Sequence, residues 1–144
     1  MKTIRVAVTV SLLALLAAAP AKAADPQAML PKAKSVNGII YLTGGVGVRE
    51  RAALKPLAKD YNLRLTFVRE GSGAYLAWVR VRIEDMQGRI VLEAISDGPW
   101  FFVRLPRERY RVMAALNDVV RAEEVDLGAR TSADVLMAWP AASN

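Results

Sequence analysis

Apolar and polar residues alternate through much of the chain, and this two-residue period is typical of β-strands because successive side chains point to opposite faces of a sheet. Glycine-rich or polar turns separate the short segments that show strand character. These segments are residues 39–43, 63–70, 74–85, 90–96, 100–105, 109–116, 119–127 and 133–139. Many short strands at close, regular spacing indicate a sandwich. The pattern therefore predicts a mainly β protein, an antiparallel β-sandwich.

One segment has the period of a helix. Between Val48 and Tyr61, apolar residues recur three and four positions apart, which predicts an amphipathic helix. Pro56 lies within it and lacks the N–H that a helix interior requires. The helix is therefore expected either to kink at Pro56 or to break into two short pieces. Residues 38–73 are thus predicted to form a strand, a glycine turn, an N-terminal helix and a second strand.

The first 23 residues have the features of a cleavable secretory signal peptide. Lys2 and Arg5 supply a short positive region, and residues 6–19 are almost wholly apolar. This run is shorter than the ~20 residues of a membrane span. Residues 21–23, Ala-Lys-Ala, fit the rule for cleavage between small residues. We expect cleavage after Ala23 and a periplasmic or secreted product with no stable membrane insertion.

The chain after the predicted cleavage site has the length of one domain. Residues 24–37 contain two prolines and no periodicity, which predicts a flexible leader. The opening segment is then expected in residues 38–73, the sandwich in residues 74–140 and a short tail in residues 141–144. Two arrangements stay open for the strand at 39–43: it joins the main sandwich, or it pairs only with residues 63–68.

The charge of the chain argues against a nucleic-acid partner. The formal net charge is +6, and it falls to +3 when Lys2, Arg5 and Lys22 leave with the signal peptide. The remaining Lys and Arg residues are spread among acidic residues, whereas nucleic-acid-binding proteins concentrate them on one face. We expect an ordinary surface of mixed charge.

The lack of His and Cys restricts the chemistry that the protein can perform. A Ser-His-Asp triad, a Cys nucleophile, a thiol redox pair and the common zinc sites all need one of these residues. Carboxylate-based catalysis and a Ser-Lys pair need neither. The spacing of the acidic residues indicates neither a catalytic pair nor a calcium loop. We therefore predict a protein that is not an enzyme and that has no metal site and no cofactor.

A longer motif spans residues 77–110 and reads A-x-V-x-V-x-I-x-D-x-x-G, followed by a strand and S-D-G-P-W-F-F-x-x-L-P-x-x-x-Y. It resembles the carboxypeptidase regulatory-like, or transthyretin-like, domain family. The positions that match the aromatic, Leu-Pro and Tyr positions of the family are Trp100, Phe102, Leu105, Pro106 and Tyr110. The chain departs from the family pattern at Pro99, which precedes the first aromatic residue, and at Glu108, where the family usually has glycine.

The resemblance covers about half of the chain after the signal peptide. It implies a seven-stranded prealbumin-type sandwich, a transthyretin-like or Ig-like architecture. It also implies a folding, adhesion or recognition module without catalytic residues, whose aromatic residues mostly face the core. Residues 44–67 resemble the strand-turn-helix-strand opening of small periplasmic proteins of Gram-negative bacteria, and that resemblance implies no activity.

Trp78, Arg80 and Arg82 are the candidate binding residues. The alternation in residues 74–85 places all three on one face of a strand. An exposed tryptophan there would suit contact with a protein, a peptide or an envelope glycan. The commoner arrangement would place the N-terminal helix over this face and bury Trp78 in a second small core. For Trp100, packing in the core is expected.

The glycine turn before the helix is an alternative site, for an anion. A strand, a glycine-rich turn and a helix N-terminus together resemble phosphate-binding loops. The residues of such a site would be Gly44, Gly45, Gly47, Arg49 and Arg51. A dinucleotide loop would require glycine at position 50, where the chain has Glu50. We therefore expect a turn that reverses the chain into the helix.

Two function classes follow, with a third behind them. The first is a non-enzymatic periplasmic module that binds a protein, a peptide or an envelope glycan. The second is a structural component of the envelope that self-associates, and the third is a carboxylate-based enzyme. The sequence leaves the oligomeric state open.

Overall fold

The computed structural model describes residue 21 and residues 30–142. The predicted signal peptide and its cleavage site lie outside the described residues, apart from residue 21. The elements are β1 (Lys34–Val36), β2 (Ile39–Gly44), α1 (Val48–Leu54), a 3₁₀ helix (Lys55–Asp60), β3 (Leu63–Arg69), β4 (Arg80–Asp85), β5 (Ile90–Ile95), β6 (Trp100–Arg104), β7 (Arg109–Leu116), β8 (Val119–Asp126) and β9 (Ala133–Trp139). The predicted mainly β class is confirmed.

The strands of residues 30–142 form two sheets. The five-stranded sheet has the order β1-β2-β6-β3-β9, and the four-stranded sheet has the order β5-β4-β7-β8. Every neighbouring pair is antiparallel except β3 and β9, which run parallel from Leu63↔Ala133 to Arg69↔Trp139. The prediction of a wholly antiparallel sandwich is wrong for this pair. The apolar pattern of a strand shows which face is buried but not the direction of its neighbour.

The two sheets pack face to face through one apolar layer. Leu65 and Phe101 of the five-stranded sheet belong to the same buried cluster as Val81 and Ile83 of the four-stranded sheet. All four side chains are fully buried. Burial of this apolar layer stabilises the sandwich-like arrangement, because alternate residues of each strand lose their contact with water.

Regular structure begins earlier than the sequence predicted. The sequence predicts a flexible leader over residues 24–37, but Lys34–Val36 form β1, which pairs with β2. The two strands are joined by Asn37 and Gly38, which have φ angles of 51° and 78°. Positive φ at both central residues matches the twist of a two-residue hairpin, and Asn-Gly is the dipeptide that adopts it best. The sequence prediction overlooked this signal.

The opening segment belongs to the main sandwich. β2 and β3 both pair with β6, so that β6 lies between them. The strand at 39–43 therefore joins the main sandwich, and it does not pair with the strand at 63–70. Residues 38–73 and residues 74–140 consequently share one sheet and one core.

The predicted helix breaks into two pieces at Pro56. The α-helix ends at Leu54, and a 3₁₀ helix with Pro56 in its first turn follows. Proline is tolerated there because first-turn N–H groups have no partner within the helix. A second small core, on the outer face of the five-stranded sheet, contains Leu42, Leu54, Tyr61 and Phe102.

Residues 74–79 do not extend β4 as predicted. Leu76 donates its backbone N–H to Phe67 of the five-stranded sheet, whereas Trp78 donates its own to Ser96, after β5. The Val79 N–H is bonded to the Ser96 hydroxyl instead of to a neighbouring strand. The segment therefore crosses from one sheet to the other, and alternation alone does not distinguish this crossing from a strand.

Candidate binding face of the four-stranded sheet

The outer face of the four-stranded sheet carries arginines that mostly face carboxylates on the next strand. The register places them directly opposite each other, where side chains of opposite charge stabilise a sheet. The charged pairs are Arg82–Glu93 at 3.3 Å, Arg111–Glu124 at 3.4 Å and Arg109–Asp126 at 3.6 Å. Arg82 also lies 3.9 Å from Glu84.

Arg80 differs from these arginines because its cross-strand neighbours are apolar. It lies opposite Ile95 on β5 and Ala115 on β7, and Ala115 lies opposite Val120 on β8. Within residues 30–142, the Arg80 side chain has neither a hydrogen bond nor an ion pair. We name Arg80, Ile95, Ala115 and Val120 the Arg80 row. Ile95 is 52% exposed and Val120 is 60% exposed, so the row combines an unpaired positive charge with open apolar surface.

Trp78 lies two residues before Arg80, and its side chain is 71% exposed. Its φ of 63° is unusual, since within residues 30–142 only Asn37 and Asn117 share a positive φ among residues other than glycine. For a bulky residue, this left-handed conformation costs about 1–2 kcal/mol. The hydrogen bond from its N–H to the Ser96 carbonyl places the Trp78 backbone beside the residue that follows Ile95.

The helix does not cover Trp78, so of the two arrangements that the sequence left open the exposed one is observed. α1 packs on the other sheet, where Leu54 contributes to the second small core. Trp100 is partly buried against that core and stacks on Phe102, with their ring centroids 5.8 Å apart. It therefore packs, as expected, but on the outer face of the five-stranded sheet and not in the main core.

Arg80 and Arg82 line one shallow depression on this face. It has a volume of about 240 Å³, and its other lining residues are Met113, Ala115 and Val120. The structure therefore brings two of the sequence-predicted residues, Arg80 and Arg82, together. The third, Trp78, is exposed in the segment before β4 and does not line the depression. Sequence reasoning missed Ile95, Ala115 and Val120. The alternation marks them as outward-facing, but only the strand order and register place them beside Arg80.

The glycine turn is occupied by the chain's own side chains. The Gly45 N–H donates to the Glu50 carboxylate at 2.6 Å. Arg51 donates to the carbonyl oxygens of Gly45 and Val46, and its guanidinium lies 4.8 Å from the Tyr75 ring centroid. Arg49 is exposed, away from these contacts. An incoming anion would have to displace Glu50, so this arrangement favours a structural turn.

Two carboxyl groups of the described residues have a lowered pKa. The Arg64 guanidinium lowers the pKa of the Asp134 carboxyl through a 2.6 Å hydrogen bond. Backbone N–H groups, that of Arg89 first, lower the pKa of Asp85. A general acid at neutral pH needs a raised pKa instead. Within residues 30–142, no cluster of acidic residues has the geometry of a metal site.

Comparisons of the chain with protein-family models, with curated proteins and with solved structures found no match. The described part of the chain also contains no helix of the length and apolarity that crossing a membrane requires.

Proposed function

We propose that this protein is an exported, non-enzymatic binding module whose recognition surface is the outer face of the four-stranded sheet around Trp78. One observation carries the proposal: a tryptophan held at a φ of 63° with 71% of its side chain exposed. Such a residue contributes little to packing and costs backbone strain. Strain of this kind is concentrated at functional sites, and exposed tryptophans are frequent binding anchors.

The neighbouring residues support the same role. Ile95 and Val120 offer exposed apolar surface, and Arg80 offers a charge that no carboxylate of the described chain neutralises. Apolar surface around one specific charge is typical of recognition sites. The export of the protein is a proposal from the N-terminal sequence, and we place its function in the periplasm or outside the cell.

We also propose the finer assignment of the sandwich to the transthyretin-like class. Two motif residues support this proposal, because Leu105 and Tyr110 lie in the main core. Phe102 lies instead in the second small core, and the partly buried Trp100 packs against it there. The Tyr110 hydroxyl donates to the Pro106 carbonyl at 2.8 Å and closes the turn between them. Within this turn, the Glu108 N–H donates to the same carbonyl.

The experiment is a crosslinking capture from an envelope extract, scored for both protein and carbohydrate. It compares the mature protein with Trp78→Gly, which removes the ring and accepts positive φ. The matched control is Val48→Ser, because Val48 is 74% exposed at the start of α1, which packs on the other sheet. We expect a partner that the wild type and Val48→Ser capture and that Trp78→Gly loses.

Equal capture by all three proteins would place the contact elsewhere and overturn the proposed surface. Absence of any partner, together with oligomers that grow with protein concentration, would favour the self-associating structural component instead.

A further inference from the structure

We infer that the Arg80 row binds an extended segment of a protein partner in which one acidic side chain lies between two apolar ones. The inference rests on the proposed function, and it names the ligand of the same face. It depends on three features of the row: its unpaired charge, its lack of other polar groups and its spacing.

The unpaired charge calls for an anionic group. Arg82, Arg109 and Arg111 on this face each lie near a carboxylate of the neighbouring strand. The register gives Arg80 only Ile95 and Ala115 as neighbours. A guanidinium pairs best with a carboxylate, which it can bind through two parallel hydrogen bonds. A carboxylate from outside the chain would therefore complete the pattern of the face.

The rest of the row favours a protein segment over a glycan. Besides Arg80, the row presents only the apolar side chains of Ile95, Ala115 and Val120. A sugar ring placed over them would lose the hydrogen bonds of its hydroxyls to water without replacement, and such a loss is costly. Apolar side chains of a peptide would instead gain from contact with Ile95 and Val120.

The spacing of the row matches an extended peptide that crosses the strands. Neighbouring strands are about 4.8 Å apart, so Ile95 and Val120, three strands apart in the sheet, are separated by about 14 Å. Four residues of extended chain also span about 14 Å. Two apolar side chains at positions i and i+4 would therefore contact Ile95 and Val120, with the acidic side chain at i+2 between them, near Arg80.

The size of the face argues against a second copy of this chain as the occupant. Four strands of six to eight residues present a face of roughly 19 by 20–26 Å, about 400–500 Å². A standard protein interface buries about 800 Å² on each partner. The face is therefore large enough for a short segment and too small by itself for a stable dimer.

The test is a titration of the mature protein with the synthetic peptide SLTETLS, followed by amide chemical shifts. The peptide has leucines at i and i+4 and glutamate at i+2. We expect shifts on β4, β7 and the end of β5, and affinity at least about threefold weaker for SLTQTLS, in which glutamine replaces the glutamate. Arg80→Gln should bind the two peptides equally. The matched control is Arg130→Gln, since Arg130 is exposed outside the sheet, and it should keep the difference.

Three results would overturn the inference while leaving the proposed function intact. In the first, the wild type binds both peptides with equal affinity. In the second, it binds neither peptide although Trp78-dependent capture persists. In the third, it binds polygalacturonate in place of the peptide, and this binding depends on Arg80. A dimer that dissociates on Trp78→Gly substitution, measured by sedimentation, would make a second copy the occupant and would also overturn it.

Discussion

Replacement of Gly98 by alanine is the most direct test of how the two glycine turns fit together. Gly98 is buried just before β6, where its backbone passes over Gly44 at the end of β2. A Cβ on Gly98 would lie 2.5 Å from the carbonyl carbon of Gly44, nearer still to its oxygen, and 3.0 Å from its Cα. The φ of Gly98 is not in the left-handed region, so the expected cost is steric.

The size of the effect follows from what holds the two backbones in place. Gly44 is paired with Trp100 in the β2–β6 ladder, and Asp97 donates its N–H to the Thr43 hydroxyl at 3.0 Å. Because no side chain can rotate to relieve the contact, one strand must shift. Overpacking usually costs 1–3 kcal/mol, and a rigid backbone contact belongs at the upper end, about 3 kcal/mol. For a domain of this size, that loss lowers Tm by roughly 10–20 °C.

The measurement is urea denaturation and calorimetry of Gly98→Ala beside the matched control Gly47→Ala. A Cβ on Gly47 would meet nothing within 4 Å, and its φ of −105° suits alanine. We expect the control to remain within about 1 kcal/mol of the wild type. If Gly98→Ala were as stable as the control, the close approach of the two turns would be refuted.

Three further predictions concern single groups. Ser96→Ala should lower the free energy of unfolding by about 1–3 kcal/mol, because it leaves the buried Val79 N–H without its 3.0 Å partner; an unchanged urea midpoint would contradict this. Trp78→Gly should leave stability unchanged or raise it by about 1 kcal/mol, since glycine relieves the strain at a φ of 63°; a clear loss would show that the ring packs on the fold. Burial raises the pKa of Tyr110 to about 12. The protonated Tyr110 hydroxyl therefore contributes fully to stability below the pKa of about 10 that it has in the unfolded chain, and this contribution is lost as the pH rises from about 10 through 12. Tyr110→Phe should cost about 1 kcal/mol at pH 7 through its lost bond to Pro106, and this difference should shrink over that alkaline range, as measured by urea denaturation at each pH.

Most of the strand segments could be predicted from the sequence because their signal is local. The segments at 39–43, 109–116 and 133–139 coincide with β2, β7 and β9 to within one residue. An interruption of the helix at Pro56 was equally predictable, since a missing N–H acts within one helical turn, but the sequence left open whether the helix kinks or breaks. The hairpin of β1 and β2 was predictable too, from Asn37-Gly38, but its signal lay in a segment without periodicity.

The candidate site was predicted in part. The alternation placed Arg80 and Arg82 on one outward face, and the structure confirms that both side chains are exposed. The sequence left open whether the helix covers Trp78. A helix with an apolar stripe can cover either sheet, and only the contacts of Leu54 with Leu42 and Phe102 decide between them.

The sequence by itself determined the mainly β class, the limits of most strands and which residues of each strand face inward. Only the tertiary structure decided that β9 runs parallel to β3, that Gly98 passes over the Gly44 backbone and that Arg80 lies in an apolar row. The physical reason is that alternation records burial along one strand, whereas partners, directions and registers depend on contacts between residues far apart in the chain. The function proposed for this protein depends on such contacts. The pairing of β4 with β5 and β7 places apolar residues, and no carboxylate, opposite Arg80.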